Sequence, residues 1–470
     1  MIFILGNPIP GMGGMRAMNG TGMGLSAAVV TGLIYLTAVA TSAEDLTIER
    51  AVSIALERNS DLRRLENQVD LNQTAVDQGR ARFQPDLNLS ISPSERFGRT
   101  FDQSIGQVKT QRSESLSLNA SSRINLFNGY ADQAALAAAR LDLQAGQQDL
   151  ARARQRIAYS AAAQFLSIFA AEELIAVERE NIAAQRQQLE RIQAYWEQGT
   201  RSRADVLQQQ ATLAAAELRL LNAEQRRQLA ELRLKETLQI DLAADLTFSG
   251  PSLTDLQTKD PDYTPEPLIQ DALQQRHDLT GQQHRIAAAQ EQIRQAHAGL
   301  LPQINLSVNI GTNYSSLNER DGFGDQLTDL NPSASIGLNL SLPIFDRALT
   351  KSKVARSQVQ LKNEKITLED LQRDITFDVH QTLLDYRTAL KRQAAAAAQE
   401  TAAAEALAAM EARYHSGLAT FVELSQTRAQ HVDAKGGWVE ALYDVTLAQL
   451  AIEYNRGGEA WQAALQQMNY

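Results

Sequence analysis

The sequence predicts a mixed α and β membrane protein, internally duplicated, with long helices forming a helical barrel and four strands per chain entering a shared transmembrane β-barrel. Three observations predict it: landmarks that recur at a period of about 217 residues, two pairs of alternating apolar and polar segments, and two proline-free helical stretches of about 66 residues.

The duplication comes first because everything else is counted twice. Asn59-Ser60-Asp61-Leu62 returns as Arg276-His277-Asp278-Leu279, and the run from Gly79 to Pro85 returns from Ala296 to Pro302. Leu126-Phe127-Asn128 is echoed by Ile344-Phe345-Asp346, and Gly199 by Gly417, one position further along. Four landmarks in one order divide the chain into a first repeat over 44–250, a linker over 251–266 and a second repeat over 267–470. The linker holds Pro251, Pro261 and Pro265, and should form an irregular belt midway along the rod.

Ahead of the repeats, residues 24–40 are uncharged and apolar, with Arg16 before them and Thr41-Ser42-Ala43-Glu44 after. A basic start, an apolar middle and small residues at the boundary predict a secretory signal over 1–43, with Met15 as the better initiator. No further apolar run of that length is evident, so any membrane crossing is expected as β-strand.

Within each repeat the order is the same. A helix of about 36 residues is expected from Ile48 to Arg82, and another from Pro267 to Leu300, from apolar residues at helical spacing such as Val52, Leu56, Leu62 and Val69. Proline then ends each. Strict alternation follows, with Leu87, Leu89 and Ile91 against Asn88, Ser90 and Ser92, and Ile304, Leu306, Val308 and Ile310 against Asn305, Ser307 and Asn309. Loops are expected at about 93–114 and 311–333, with return strands through Leu116, Leu118 and Ala120, and through Ile336, Leu338, Leu340 and Leu342.

The long helices are expected at about 130–197 and 348–415, each spanning about 100 Å at 1.5 Å per residue. Gly199 and Gly417 sit where a left-handed C-terminal cap wants glycine. Ser202 with Asp205, and Thr420 with Glu423, have the spacing of a capping box that opens the returning helices, about 202–240 and 420–456. Two tight helical hairpins are expected. The helix over 202–240 should stack on that over 267–300, and the C-terminal helix on the first.

Four amphipathic strands cannot leave an open edge in lipid, and bacterial barrels start at eight strands, so the chain should oligomerise around a water-filled lumen. Composition removes other classes. There is no cysteine, so disulfides, thiolate metal sites and a lipidated N-terminal cysteine are all excluded. The net charge of −10, with acids and bases interspersed, disfavours nucleic acid as a partner. Six histidines (277, 284, 297, 380, 415 and 431) show no ligand spacing, and there is no phosphate-binding glycine loop, so neither enzyme, metal nor cofactor is expected. The competing reading is a periplasmic adaptor or other coiled-coil interaction protein, which would carry one helical hairpin rather than two with four strands.

The stretch LTIERAVSIALERNSDL, the glycine-to-proline approach to each first strand, Leu126-Phe127-Asn128-Gly129 with its echo Pro343-Ile344-Phe345-Asp346, and the two tip motifs resemble the TolC-like outer-membrane efflux family over essentially the whole chain after the leader. Arg347 stands where the first copy has Gly129. The resemblance implies a homotrimer, the barrel being completed by trimerisation, embedded in outer-membrane lipid with its helical tunnel in the periplasm. It also implies a periplasmic adaptor and an inner-membrane pump or ATPase as partners in efflux or type I secretion. Carried over by position, Arg201 and Asp205 would be gate residues at the periplasmic tip, with Gln208 beside them and Glu423 and Gln426 in the second copy. Gly199, Ser202, Gly417, Leu418 and Thr420 would form the tip turns and the place where an adaptor docks.

Overall fold

The structure is a computed structural model that describes residues 46–102, 106–250 and 263–458. The expected leader and most of the expected linker lie outside the described residues. One element order occurs twice: two helices, two strands and two helices.

The sequence predicts a single helix in front of each hairpin. The structure has two, α1 (Ile48–Arg58) and α2 (Ser60–Ala81), then α5 (Pro265–Gln275) and α6 (His277–His297). The break falls on the duplicated landmark itself. Asn59 leaves helical geometry (ψ 126°) and its side-chain oxygen accepts from the amides of Asp61 at 2.9 Å and Leu62 at 3.4 Å, so it is the N-cap of α2. Arg276 takes the same backbone conformation at the equivalent position. Helical periodicity runs straight through a capped break of one residue, which is why the pattern alone misses it. In α5, Pro265 occupies the first turn, where a missing amide costs nothing.

Strands β1 (Asn88–Asp102), β2 (Gln107–Phe127), β3 (Gln303–Ser315) and β4 (Ser333–Ser341) form one antiparallel sheet in sequence order. The loop expected at 93–114 is largely strand, since pairing continues from Pro93 with Leu116 out to Asp102 with Gln107. Charged residues and Gly98 hide the alternation there. The second loop is shorter than expected and folds into a helical turn α7 (Phe323–Asp325) continued by a π turn over Gln326–Leu330.

Helices α3 (Ala131–Glu197) and α8 (Leu349–His415) have 67 residues each, and the returning helices α4 (Arg203–Leu238) and α9 (Phe421–Arg456) have 36. Asn128 and Asp346 open the two long helices. The Asn128 side chain accepts from the Asp132 amide at 3.3 Å, and the Asp346 carboxylate from the Thr350 amide at 2.7 Å.

The helices stand in four columns. The upper half of α3 lies between α2 and α6, its lower half between α4 and α9, and α8 lies beyond α6 and α9. So α4 stacks end-on with α1, joined where the Asn59 amide group donates to the Thr237 carbonyl at 3.2 Å. Likewise α9 stacks with α5 through Arg456–Asp271 at 2.8 Å and Tyr263–Glu453 at 3.1 Å. This reverses the stacking expected from the sequence. The chain leaves α4 beside α3 and returns on its far side, so neighbours in sequence are not neighbours in a column.

One stretch of α3 is long and apolar enough to cross a membrane, contrary to the expectation that no such run remained. Its residues serve packing instead. Ala158, Ala161, Ala162, Phe165 and Leu166 are fully buried against Ile48, Ala51 and Ala55 of α1 and Leu234 and Leu238 of α4. A helix flanked on two sides must be apolar over most of its surface.

Candidate functional site at the tips and the strand face

Each tip is built from its sequence in the same steps. After α3 the chain reverses through Gly199 (φ +73°), with the Thr200 amide donating to the Tyr195 carbonyl at 2.9 Å and that of Gly199 to Trp196 at 2.9 Å. After α8 it reverses through Gly417 (φ +78°), with Leu418 donating to Arg413 at 2.8 Å and Gly417 to Tyr414 at 3.1 Å. Both are Schellman closures, which need a residue tolerant of the left-handed region.

Capping boxes follow in both copies. Ser202 Oγ accepts from the Asp205 amide at 3.2 Å, and the Asp205 carboxylate accepts from the Ser202 amide at 3.2 Å. Thr420 Oγ1 accepts from the Glu423 amide at 3.2 Å, while the Glu423 carboxylate accepts from the Thr420 amide at 2.7 Å and hydroxyl at 2.8 Å. Those two bonds from Thr420 hold the Glu423 carboxyl below the usual glutamate range.

The two tips meet. Ile192, Val206, Tyr414, Phe421 and Leu424 form one buried cluster from all four tip helices. Over it lies Arg201, its guanidinium carbon 5.4 Å from the Tyr414 ring centroid. Among the described residues no ion pair joins Arg201 to Asp205: the carboxylate caps a helix and the guanidinium bridges to the other tip. Gln208 and Gln426 are exposed on the second turns of α4 and α9, and Leu418 is 72% exposed at its turn.

Sequence reading missed three features here. Tyr414 is one. Another is a charged seam along α3 and α4, with Arg186–Glu217 at 3.1 Å and Arg179–Glu224 at 3.4 Å, legible as charges seven residues apart on both helices. The third is the buried Gln209, which donates to Gln185 Oε1 at 2.8 Å and to its carbonyl at 2.9 Å.

At the other end the sheet has two chemically distinct faces, in register across all four strands. One carries Ile304–Leu340, Leu306–Leu338 and Val308–Ile336 on β3 and β4, and Leu89–Ala120 and Ile91–Leu118 on β1 and β2. The opposite face carries rows such as Asn125–Asn305–Asn339 and Ser121–Asn309–Ser335. An apolar face with high exposure, as at Leu89 (72%) and Ile336 (74%), is a lipid-facing band, and a serine and asparagine face suits water.

A sequence profile described as outer membrane efflux protein matches residues 51–238 and again 268–457. The chain belongs to the outer membrane efflux protein family. The two matched segments leave out the region between α4 and the second repeat. Among relatives, the chain is 28% identical over 170 residues to outer membrane protein TolC of Salmonella enteritidis, covering 36% of this chain and 35% of that one. The chain thus spans about a third of the TolC relatives it matches. It is 26% identical to protein CyaE of Bordetella pertussis over 394 residues, 83% of this chain and 80% of the other. The outer membrane protein VceC of Vibrio cholerae shares the fold, with a TM-score of 0.74 at 18% identity over 87% of this chain and 96% of that one. The family is one of outer membrane efflux proteins, and other structures that share the fold are described as outer-membrane channels, which sets aside the coiled-coil adaptor reading.

Proposed function

We propose that three copies of this efflux-family chain close into one duct across the outer membrane and the periplasm. Through it solutes or proteins leave the cell, delivered by an inner-membrane pump or ATPase and a periplasmic adaptor. The observation that carries the reading is that the sheet and the helix columns are open at the same two edges. Strands β1 and β4 have no outer neighbour among the described strands, and α2 with α4 stand below β1 as α8 stands below β4.

Both helical edges expose apolar side chains at the spacing a neighbour would cover. On α4 these are Leu207, Leu218 and Leu229, eleven residues apart, and on α8 they are Val359, Ile366, Phe377 and Leu384, at steps of seven and eleven. Steps of seven and eleven keep one face of a helix within about 20°. Two different edges joined head to tail generate a ring rather than a two-fold dimer. Three chains would supply twelve strands, enough to close.

The tips are read as the periplasmic entrance. Arg201 and Asp205 are its candidate gate, and Gln208, Glu423 and Gln426 line the same turns. Exposed Leu418, with Gly417 and Thr420, is the candidate seat for an adaptor. Light scattering of the detergent-extracted protein tests the assembly: a trimer from the outer-membrane fraction is expected, and a soluble periplasmic monomer would overturn the reading. Pull-down with the cognate adaptor should weaken in Leu418→Ser.

A further inference from the structure

The first hairpin is much longer than the second, and the excess lies on one side of the apolar band. β1 has 15 residues and β2 has 21, whereas β4 has 9. The uniform register of β1 and β2 identifies what the excess presents outward. Continuing the lipid-facing row from Ile91 and Leu118 through Pro93 and Leu116, the next pairs are Glu95–Glu114, Phe97–Arg112, Arg99–Thr110 and Phe101–Val108.

The first of these pairs marks the end of the hydrocarbon. Arg112 bridges Glu95 and Glu114, the latter at 3.0 Å, and lies 5.6 Å from the Phe97 ring centroid. Tyr314 and Phe323 stack edge-on at 4.8 Å beside it, an interfacial aromatic pair. Charges then give way to a second apolar patch: Phe97 is 70% exposed, Phe101 55% and Val108 54%. Arg99 lies between the two phenylalanines, exposed, and makes no ion pair among the described residues.

Depth decides what can reach this patch. From Glu95 to Phe101 the strand rises about 20 Å at ~3.4 Å per residue, or about 15 Å with a tilt near 40°. A phospholipid headgroup layer adds only about 5–8 Å on each side of the hydrocarbon. Phospholipid therefore ends near Phe97, and Phe101 would stand in water. A saccharide headgroup is thick enough to reach it, and sugar rings present C–H faces that aromatic side chains cover.

We infer that the outward face of this arm, Phe97, Arg99 and Phe101 with Val108, seats the phosphorylated saccharide headgroup of an outer-leaflet glycolipid. The rings cover the sugar faces and Arg99 donates to phosphate, a charge-assisted contact. The patch continues the lipid-facing band without a break in register, so one lipid spans both, its chains on Leu89 and Ile91 and its head on the arm. This rests on the barrel reading and adds the identity of the lipid.

The test uses the full-length protein in detergent and three lipids: a diphosphorylated glucosamine-disaccharide lipid, the same lipid without phosphates, and phosphatidylglycerol. Bound lipid is counted by native mass spectrometry. The wild type should hold the diphosphorylated glycolipid about tenfold more tightly than Phe97→Ser/Arg99→Gln/Phe101→Ser, a loss matching one charge and two ring contacts. Removing the phosphates should weaken binding to the wild type, and phosphatidylglycerol should show no difference between the two proteins. Equal glycolipid binding by both proteins, or equal binding of phosphatidylglycerol and glycolipid to the wild type, would overturn the proposal. Trimer mass and single-channel conductance, read in parallel, should not change, which separates this outcome from failure of the barrel itself. If the triple variant does not assemble, Phe97→Trp serves instead: its emission should shift to the blue with the diphosphorylated glycolipid and not with phosphatidylglycerol, and no shift overturns the proposal equally.

Discussion

Arg201 and Tyr414 join the two helical hairpins across 5.4 Å, guanidinium over ring, above a buried apolar cluster drawn from both. A cation–π contact at an exposed site contributes about 0.5–1 kcal/mol, so one alone cannot hold an entrance shut. In the proposed trimer three such contacts would act together. Arg201→Ala/Asp205→Ala should raise single-channel conductance in planar bilayers while the trimer mass is unchanged, and Tyr414→Leu should move conductance the same way. Unchanged conductance in both variants would leave Arg201 and Asp205 as turn and cap residues. The charged seam of α3 and α4 predicts, in addition, easier opening at high salt, because exposed pairs are screened.

Glu423 sets a pH dependence whose sign follows from its partners. The Thr420 amide and hydroxyl bond the ionised carboxylate and lower its pKa in the folded tip. A lowered carboxyl contributes stability above its unfolded pKa, near 4.3, and loses it as pH falls through the folded value. Amide exchange at Glu423 should therefore be slow at pH 6 and speed up, beyond the intrinsic pH effect, below about pH 4. Glu423→Gln should remove that dependence while keeping part of the cap.

The breaks at Asn59 and Arg276 solve one geometric problem with different chemistry. Asn59 caps α2 and reaches Thr237. Arg276 is 6% exposed and pairs with Asp278 at 2.7 Å and Asp378 at 3.5 Å. Burial alone would raise the Asp278 carboxyl, but the bonds and charge of Arg276, with Arg152 nearby, hold it below the usual range. Asn59→Ala should cost about 1 kcal/mol, the worth of a cap. Arg276→Ala should cost about 1.5–3 kcal/mol, since it removes the charge-assisted bonds that hold the half-buried Asp278 carboxylate. Thermal dissociation of the trimer should rank the two variants in that order.

What the sequence made legible were features with a short-range signature. The tip glycines, both capping boxes and the 67-residue helices follow from residues within one turn or one repeating pattern. The alternation of Leu89 and Ile91 with Ser90 and Ser92 marks the lipid face in the same way. The column order is different in kind. Whether α4 stacks on α1 or on α6 depends on which side of α3 the chain returns, and nothing between Gln239 and Gly250 encodes that side. The Arg201–Tyr414 contact, 213 positions apart in the chain, was illegible for the same reason. The residues proposed as a gate were found because turns are local; their partner was not.

The turns from barrel to tunnel carry a difference between copies that can be tested by exchange. Gly129 (φ +69°) stands in the left-handed region, and a Cβ there would meet the Ala298 carbonyl oxygen at 2.7 Å and Leu301 Cβ at 2.8 Å. At the equivalent place in the second copy, Arg347 adopts φ +54° with a full side chain. For a residue other than glycine the left-handed region costs about 1–2 kcal/mol. Gly129→Ala therefore meets two penalties, backbone strain and a clash with backbone atoms that cannot swing away. It should lower trimer stability by roughly 2–4 kcal/mol. Arg347→Gly relieves the strain but frees the unfolded chain, so the gain should be smaller, about 0.5–1 kcal/mol. The temperature at which the detergent-solubilised trimer dissociates should fall in the first variant and rise slightly in the second. A fall in both would mean that the Arg347 side chain makes contacts in the assembly that outweigh its strained backbone.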